Sequence, residues 1–308
     1  MLDVMIVGGG PAGLAAAQTL GRVRRETLLI DAREPRNAAS PAMHNFLSRD
    51  GTSPAELRAI ARAELEAYPS VQVREGVVSG IRRSAGGGFE IVLGAGGAVR
   101  ARRVLLATGV VDELPPIEGL AALWGRAVLH CPYCHGWEVR DAPLAVLGAA
   151  PERARLALHL TRLSGDVALL TNGEALDEAG VRRLLERSGV AIREAPIARV
   201  EGGDDDVVHI TFDGAPPLVR RAVFVQSRTR QRSALAEELG CEILEDGSVA
   251  VDDFGRTSVP GVFAAGDMAR RPTMPRPAAA VIAAAASGTI AAGMIDQELV
   301  GEELGAGA

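Results

Sequence analysis

Short apolar runs alternate along this chain with amphipathic or Ala-rich stretches, and the runs repeatedly end in glycine. Leu2–Val7 is the first such run and closes in Gly8-Gly9-Gly10-Pro11-Ala12-Gly13. The Ala-rich stretch that follows, to about Leu20, predicts a helix. Residues 27–30 predict a second strand ending at Asp31. Strand, glycine turn, helix and strand in that order make one βαβ unit of a doubly wound sheet. Turn residues Pro35, Asn37 and Pro41 come next, then a stretch over about 54–68 with Arg and Glu on its polar face, which predicts a surface helix. Residues 71–73, Phe89–Leu93 and 104–107 read as strands, with glycine-rich hairpin turns at 86–88 and 94–97.

The pattern breaks at Leu114-Pro115-Pro116-Ile117-Glu118-Gly119 and then repeats its theme. Leu144–Leu147 predicts a strand, Gly148 a turn, the stretch to about Leu163 a helix, and Val167–Leu170 another strand. Residues 181–188 predict a further helix, and 207–212 and 222–225 two more strands. The acidic, glycine-rich run at 202–206 reads as a solvated hairpin tip. From 249 to Asp267 the pattern is strand, turn, strand and loop, and a helix over about 278–298 closes the chain. The expectation is an α/β protein of two domains. The first is discontinuous, residues 1–113 plus 248–308, and the second, residues 114–247, is inserted within it.

Composition narrows the function classes. The 308 residues are 47% hydrophobic and 23% charged, with only 3% aromatic, so the core must be packed from Ala, Val and Leu. There is no lysine; every basic residue is Arg. The net charge of −6 with no basic stripe argues against a nucleic-acid partner. No apolar run approaches the roughly 18 uninterrupted residues that span a bilayer, so no membrane association is expected. Three cysteines do not make a secreted disulfide framework, and the chain enters a strand at once, so a cytoplasmic location is expected.

Three motifs carry the chemistry. In Gly8-x-Gly10-x-x-Gly13 the first glycine permits the tight turn, the second lets a pyrophosphate approach the backbone, and the third lets helix and strand pack closely. Asp31, ending the next strand, stands where a carboxylate binds ribose hydroxyls. In the run 261–267, a strand ends in Gly266-Asp267 ahead of a loop and helix, a place suited to bonding a ligand hydroxyl. Third is Cys131-Pro132-Tyr133-Cys134-His135-Gly136. A Cys-x-x-Cys by itself leaves zinc, redox and structural readings open. If the pair opens a helix, the free N–H groups and dipole would lower a thiol pKa. No second Cys-x-x-Cys or His-x-x-x-His completes a zinc set, so no metal is expected. Cys241 reads as a small buried thiol.

These motifs together resemble the low-molecular-weight thioredoxin reductase family of FAD enzymes across residues 1–300. The resemblance implies two Rossmann-like, three-layer domains, the first binding FAD and the second, NAD(P)-binding in type, carrying the Cys-x-x-Cys. It implies FAD contacts at Gly8, Gly10, Pro11, Ala12, Gly13, Asp31, Ala32, Arg36, Asn37, His44, Asn45, Val78, Thr108, Gly109, Gly266, Asp267, Ala280 and Val281. It also implies that Cys134 is the flavin-proximal sulfur, that Cys131 exchanges with substrate, and that the protein is a homodimer.

Two departures from the family pattern redirect the expectation. The family usually places Asp after the second Cys, and here it is His135, an imidazole able to move protons near neutral pH. The second dinucleotide turn reads Gly148-Ala149-Ala150-Pro151-Glu152-Arg153, with a Cβ at 150 where pyrophosphate should approach and a carboxylate at 152. No Arg lies between Arg162 and Arg182 to clamp a 2′-phosphate. NADPH is therefore expected to bind poorly. With the run Cys131 to Glu138, these departures resemble the dithiol oxidases of microbial natural-product pathways, those forming the disulfides of gliotoxin, holomycin and romidepsin. The implied partners are a small-molecule dithiol, or else a thioredoxin-like protein, and oxygen. The implied catalytic residues are Cys131, Cys134 and His135. The alternative is an NAD(P)H-dependent, thioredoxin reductase-like disulfide reductase.

Overall fold

Strand β1 (Leu2–Val7) is buried on both faces: Val4 and Ile6 enter one apolar layer, Met5 and Val7 the opposite one. Both faces of a parallel strand are covered in this way when helices or further chain lie on each side of the sheet. The computed structural model describes residues 1–176, 179–203 and 207–305, which form two compact units. Each is an α/β unit built on a parallel sheet, in keeping with two Rossmann-like domains.

The first unit comprises Met1–Ala38, Ser53–Val111 and Thr229–Ala308. Here β1 leads into helix α1 (Pro11–Arg22) and strand β2 (Thr27–Asp31); helix α2 (Pro54–Leu65) and strand β3 (Val71–Glu75) follow. A meander of β4 (Val78–Arg83), β5 (Phe89–Leu93) and β6 (Ala98–Leu106) completes the main path, in the sheet order β3-β2-β1-β6-β5-β4. The long β6 is shared along one edge. Ala98 to Ala101 pair antiparallel with β5, and Val104 to Leu106 pair parallel with the strand Val262–Ala264. On one face Ala16, Ala17 and Leu20 of α1 meet Ala291, Ala292 and Ile295 of the C-terminal helix Val281–Gly305. The approach is close: a Cβ on Gly288 would stand 2.0 Å from the Ala12 carbonyl oxygen. Arg25 pairs with Asp296 at 2.6 Å, and Arg103 and Arg256 pair with Glu298 at 3.1 and 2.7 Å, so arginines from three segments hold that helix.

The second unit comprises Ala39–Thr52 and Asp112–Arg228. Among the described residues its main sheet has five strands, all parallel, in the order Val190–Arg193, Val167–Leu170, Leu144–Leu147, Ala222–Phe224 and Val128–Leu129. The helices Pro151–Leu160 and Ala179–Arg187 cover one face through Ala154, Ala157, Leu160 and Leu185. An antiparallel meander, Ile197–Gly202, Val208–Phe212 and Ala215–Arg220, covers the other through Val200, Val208, Ile210 and Phe212.

The structure departs from the sequence expectations in several places. The chain returns to the first unit at Thr229 rather than at 248, because Leu235, Ala236 and Cys241 pack into the core that holds Val78 and Ile81. The segment Ala39–Thr52 belongs with the second unit, where Ala39 lies 2.9 Å from the position of a Cβ on Gly125. The strand Val78–Arg83 escapes the pattern because Gly80 interrupts it. The strand Ala215–Arg220, not expected from the sequence, carries Pro216 and Pro217. Both are exposed on an edge strand, at a register shift where the missing N–H groups matter least. Of the acidic run at 202–206, residues 204–206 lie outside the described residues. Among the described residues no helix is long and apolar enough to cross a membrane.

Candidate active site: a glycine cradle and a redox turn

In the first unit, the turn between β1 and α1 separates three glycine roles that sequence spacing only suggests. Gly8 has φ +112°, a conformation that L side chains rarely adopt, and its Cβ would stand 2.3 Å from the Ala107 carbonyl oxygen. Gly13 is just as constrained, because a Cβ there would lie 1.9 Å from the Gly8 carbonyl oxygen. Gly10 differs: its Cβ would meet nothing within 4 Å. Two of the glycines thus close the turn on itself, and the third leaves an open cradle. Pro11 opens the helix, no side chain caps its N-terminus, and no acidic residue occupies its first turn. An uncapped helix end beside bare backbone is favourable for a pyrophosphate.

The other residues expected around the cradle divide into those gathered near it and those placed elsewhere. Asp31 is 8% exposed, and its carboxylate lies 2.4 Å from the position of a Cβ on Gly9. It accepts the Arg33 N–H at 3.0 Å and pairs with Arg62 of α2. A ribose at this carboxylate would share it with Arg62. Thr108 adjoins Gly8, its backbone nitrogen 3.1 Å from the Gly8 Cβ position, and its hydroxyl contacts Met268 Sδ at 3.4 Å. Gly109 (φ +68°) and Gly266 (φ +80°) both use the left-handed region, and Gly266 adjoins Ala12. Arg36 donates to Asp267 Oδ2 at 2.8 Å, and Asn37 Oδ1 accepts from Arg58 Nη1 at 3.4 Å. Burial sets the Arg58 guanidinium below its ordinary range; neighbouring Asp31 opposes that and Arg62 adds to it. Ala32 is exposed just beyond β2. Val78 is buried in the core, so any ligand contact there falls to its backbone. Ala280 and Val281 lie at the start of the C-terminal helix, where the Ala280 carbonyl accepts the Ala284 N–H at 2.8 Å.

In the second unit, Cys131 and Cys134 form a disulfide with Cα atoms 5.3 Å apart. The turn follows strand Val128–Leu129 directly. Cys131 is extended, at the N-cap of a single helical turn, α3 (Pro132–His135), with Pro132 in its first position. The expected helix-dipole effect on a thiol is correspondingly small, because one turn sums few peptide dipoles. Gly136 is required where it stands, since a Cβ would lie 2.4 Å from the Pro132 carbonyl oxygen and 2.6 Å from Leu163 Cδ1. Tyr133 and Trp137 flank the disulfide with 69% and 65% of their surface exposed. The Tyr133 ring meets His159 edge-on, and Arg140 stacks on Trp137.

The segment Ala39–Thr52 wraps this turn. Asn45 donates its side-chain amide to the Tyr133 carbonyl. His44 places Nδ1 3.2 Å from Asp50 and Nε2 3.4 Å from Glu138. The Asn45 N–H, then His44, hold the Asp50 carboxyl below its usual range. The structure therefore sets His44 and Asn45 against the redox turn, in a different unit from the glycine cradle with which the resemblance grouped them. Ser40 Oγ lies 3.0 Å from His135 Nε2, while His135 Nδ1 is buried with no hydrogen-bond partner. Burial pushes the His135 imidazole below its ordinary range; Glu138 opposes that and His44 adds to it. Ser40 and Asp50 were not singled out from sequence, and Glu138 was read only as the end of the run that begins at Cys131. No local pattern marks a loop serine that reaches a turn some 90 residues away.

The second dinucleotide-type turn is filled from within. Gly148 has φ +114°, as such a turn requires, but Arg153 Cγ lies 3.0 Å and Cδ 3.5 Å from the position of its Cβ. The Arg153 stem thus packs on the first position of the turn, and Ala150 puts a Cβ at the second, where a pyrophosphate would approach. Ala150 is the N-cap without a side-chain bond, and Glu152 puts an acid in the first turn of the helix. Beyond Val167–Leu170, Asn172 accepts the Ile197 N–H at 2.7 Å, so this turn is closed by an amide. Among the described residues no cluster of three or more His, Cys, Asp or Glu is arranged to hold a metal ion.

Comparison with known proteins agrees with this geometry. The family model described as pyridine nucleotide-disulphide oxidoreductase matches residues 2–287. "Thioredoxin reductase tcpT" of Claviceps purpurea is 36% identical over 280 residues, covering 87% of this chain and 86% of its own. The crystal structure of HlmI superposes with a TM-score of 0.91 at 39% identity, over 99% of this chain and 95% of that one. A putative thioredoxin reductase TrxB from Bacillus anthracis gives a TM-score of 0.90 at 31% identity, over 98% and 100%. With a redox disulfide in one unit and a dinucleotide cradle in the other, the chain belongs to the pyridine nucleotide-disulphide oxidoreductase family, as a thioredoxin reductase-like enzyme.

Proposed function

We propose that the protein is an FAD-dependent dithiol oxidase, which closes a disulfide within a small-molecule dithiol through Cys131 and Cys134 and delivers the electrons to oxygen. The observation that carries this reading is the altered second dinucleotide turn: Ala150 stands where a pyrophosphate would approach, Glu152 puts an acid in the first turn of the helix, and the Arg153 stem packs on Gly148. An enzyme of this family without that reductant must draw its electrons from a thiol substrate. The family implies FAD, and the open position at Gly10, with closed turns at Gly8 and Gly13, fits its pyrophosphate. Asp31 would hold the ribose, and Asp267, steadied by Arg36, would bond the ribityl chain. Bound FAD supplies a two-electron acceptor that oxygen can reoxidise.

The protein's own residues do the sulfur chemistry. A substrate thiolate attacks Cys131 Sγ, the Cys131–Cys134 bond breaks, and Cys134 leaves as a thiolate. The second substrate thiolate attacks the substrate sulfur of the mixed disulfide, closing the substrate disulfide and releasing Cys131. His135 accepts a proton from an incoming thiol, and burial that keeps its imidazole neutral suits it to that task. Re-forming the Cys131–Cys134 bond from the two thiolates releases two electrons, and the two protons of the overall reaction are those given up by the substrate thiols. Bound FAD would be the acceptor for these electrons, with oxygen as the final oxidant giving hydrogen peroxide.

The curated relatives' names favour a second reading, an NAD(P)H-dependent disulfide reductase acting on a thioredoxin-like protein. Anaerobic stopped-flow absorbance of the yellow protein separates the two. Bleaching by a small dithiol, reversed by air with one peroxide per turnover, supports the oxidase. Fast bleaching by NADPH or NADH establishes the reductase instead.

A further inference from the structure

We propose that Ser40 is a positioning residue that fixes His135 in the tautomer protonated on Nε2, leaving Nδ1 as the atom that accepts the thiol proton. The inference rests on the role given to His135 above and specifies which nitrogen performs it.

The argument begins with one proton. Ser40 Oγ lies 2.6 Å from the Ala42 carbonyl oxygen. A carbonyl oxygen has no hydrogen to give, so at that separation the hydroxyl must be the donor. With its only hydrogen so placed, Ser40 Oγ can meet His135 Nε2, 3.0 Å away, only as an acceptor. His135 Nε2 therefore carries a hydrogen. In the neutral ring the lone pair then falls on Nδ1.

The state of Nδ1 fits this assignment. It is buried and has no hydrogen-bond partner. A buried N–H without an acceptor is costly, and a protonated ring would leave such a group there. A bare lone pair is the lesser penalty, so the neutral ring with Nδ1 bare is the favoured state. The charged groups facing the ring are Glu138, which favours protonation, and His44, which opposes it; His44 is itself held between Glu138 and Asp50.

The segment that carries Ser40 is braced for this task. Ala39, next to it, packs on Gly125, and Met43 closes the loop base through backbone bonds with Thr52 and Gly51 at 2.9 Å. Asn45 ties the same loop to the Tyr133 carbonyl inside the redox turn. Ser40 and His135 are thus held to a common frame.

The test uses the FAD-loaded enzyme with histidine labelled in 15N. Two-bond 1H–15N correlation spectra distinguish protonated from bare ring nitrogens, and the signal missing in His135→Ala assigns the residue. The expected spectrum has His135 protonated on Nε2 and bare on Nδ1. Ser40→Ala is expected to give mixed tautomers and to slow anaerobic bleaching by dithiol about tenfold, the scale of one neutral hydrogen bond. Ser40→Thr, which keeps the hydroxyl, is expected to restore the single tautomer and most of the rate. A wild-type ring protonated on Nδ1, or an unchanged tautomer in Ser40→Ala, overturns the proposal even where His135→Ala is inactive. Full bleaching rates in His135→Ala overturn the proton-accepting role itself, and the spectrum then shows separately whether Ser40 sets the tautomer.

Discussion

The side chain of Arg153 lies over Gly148, its Cγ 3.0 Å from where a glycine Cβ would be. The backbone at 148 has kept the left-handed conformation of a dinucleotide turn, while the space beside it has been taken by the protein's own arginine stem. NADPH and NADH are accordingly expected to bleach the flavin at least about a hundredfold more slowly than a small dithiol does. Ala150→Gly combined with Arg153→Gly removes one Cβ and the whole stem, and is expected to tighten NADH binding about tenfold in equilibrium dialysis. Unchanged binding in that double variant would mean that Glu152 or the amide-closed turn at Asn172, rather than Arg153, closes the site.

The glycines of the first unit make opposite predictions at neighbouring positions. Gly10→Val is expected to fold with an unchanged thermal midpoint and to lose most of its FAD, because the new side chain enters open space where the pyrophosphate belongs. Gly13→Val is expected to destabilise the protein by more than about 3 kcal/mol, since its Cβ would overlap the Gly8 carbonyl oxygen. Flavin absorbance per polypeptide and thermal unfolding, measured on both variants, check the pair.

The glycine cradle was legible in the sequence because its signal is local: a strand, three glycines and a helix within a dozen residues. The same holds for the redox turn and for the repeated βαβ theme. The surroundings of the redox turn were not legible, because they are assembled from distant segments. Ser40 and Asn45 reach α3, and His44 reaches Glu138 just beyond it, across some 90 residues, and nothing in a loop rich in Pro, Ala and Asn announces that pairing. The return point at Thr229 was hidden for a related reason. The apolar residues Leu235, Ala236 and Cys241 are too few to show a period, and only packing against Val78 and Ile81 reveals which core they join. Asp31 was read as a ribose ligand from its place at the end of β2, whereas its partner Arg62 sits on what read as a solvent-facing helix.

The three cysteines are expected to separate by reactivity. Cys131→Ser and Cys134→Ser should each abolish bleaching by dithiol while retaining FAD. In the native enzyme reduced by dithiol, iodoacetamide should label Cys131 or Cys134 and spare Cys241. Burial raises the Cys241 thiol above its ordinary range, more than its contact with Thr257 at 3.5 Å lowers it, and a buried neutral thiol is a poor nucleophile. Peptide mass spectrometry of the labelled protein checks this. Rapid labelling of Cys241 in the folded state would show that the segment after Thr229 opens readily.

The pH dependence follows from His135, whose folded imidazole lies below its ordinary value of 6.5, chiefly through burial. Above pH 6.5 the ring is neutral both folded and unfolded, and its contribution to stability is fully present. As the pH falls below 6.5 the unfolded chain takes up a proton that the native ring still refuses, so stability declines until the pH passes the folded value. The proton-accepting step should hold its rate down to a pH below 6.5 and then fall on the acid side. Glu138 favours the charged ring, so Glu138→Gln should lower the folded value further and move the acid limb of dithiol bleaching to lower pH. The reverse displacement, toward higher pH, would show that Glu138 acts on His135 mainly by holding His44, which opposes protonation of His135, rather than by its own charge.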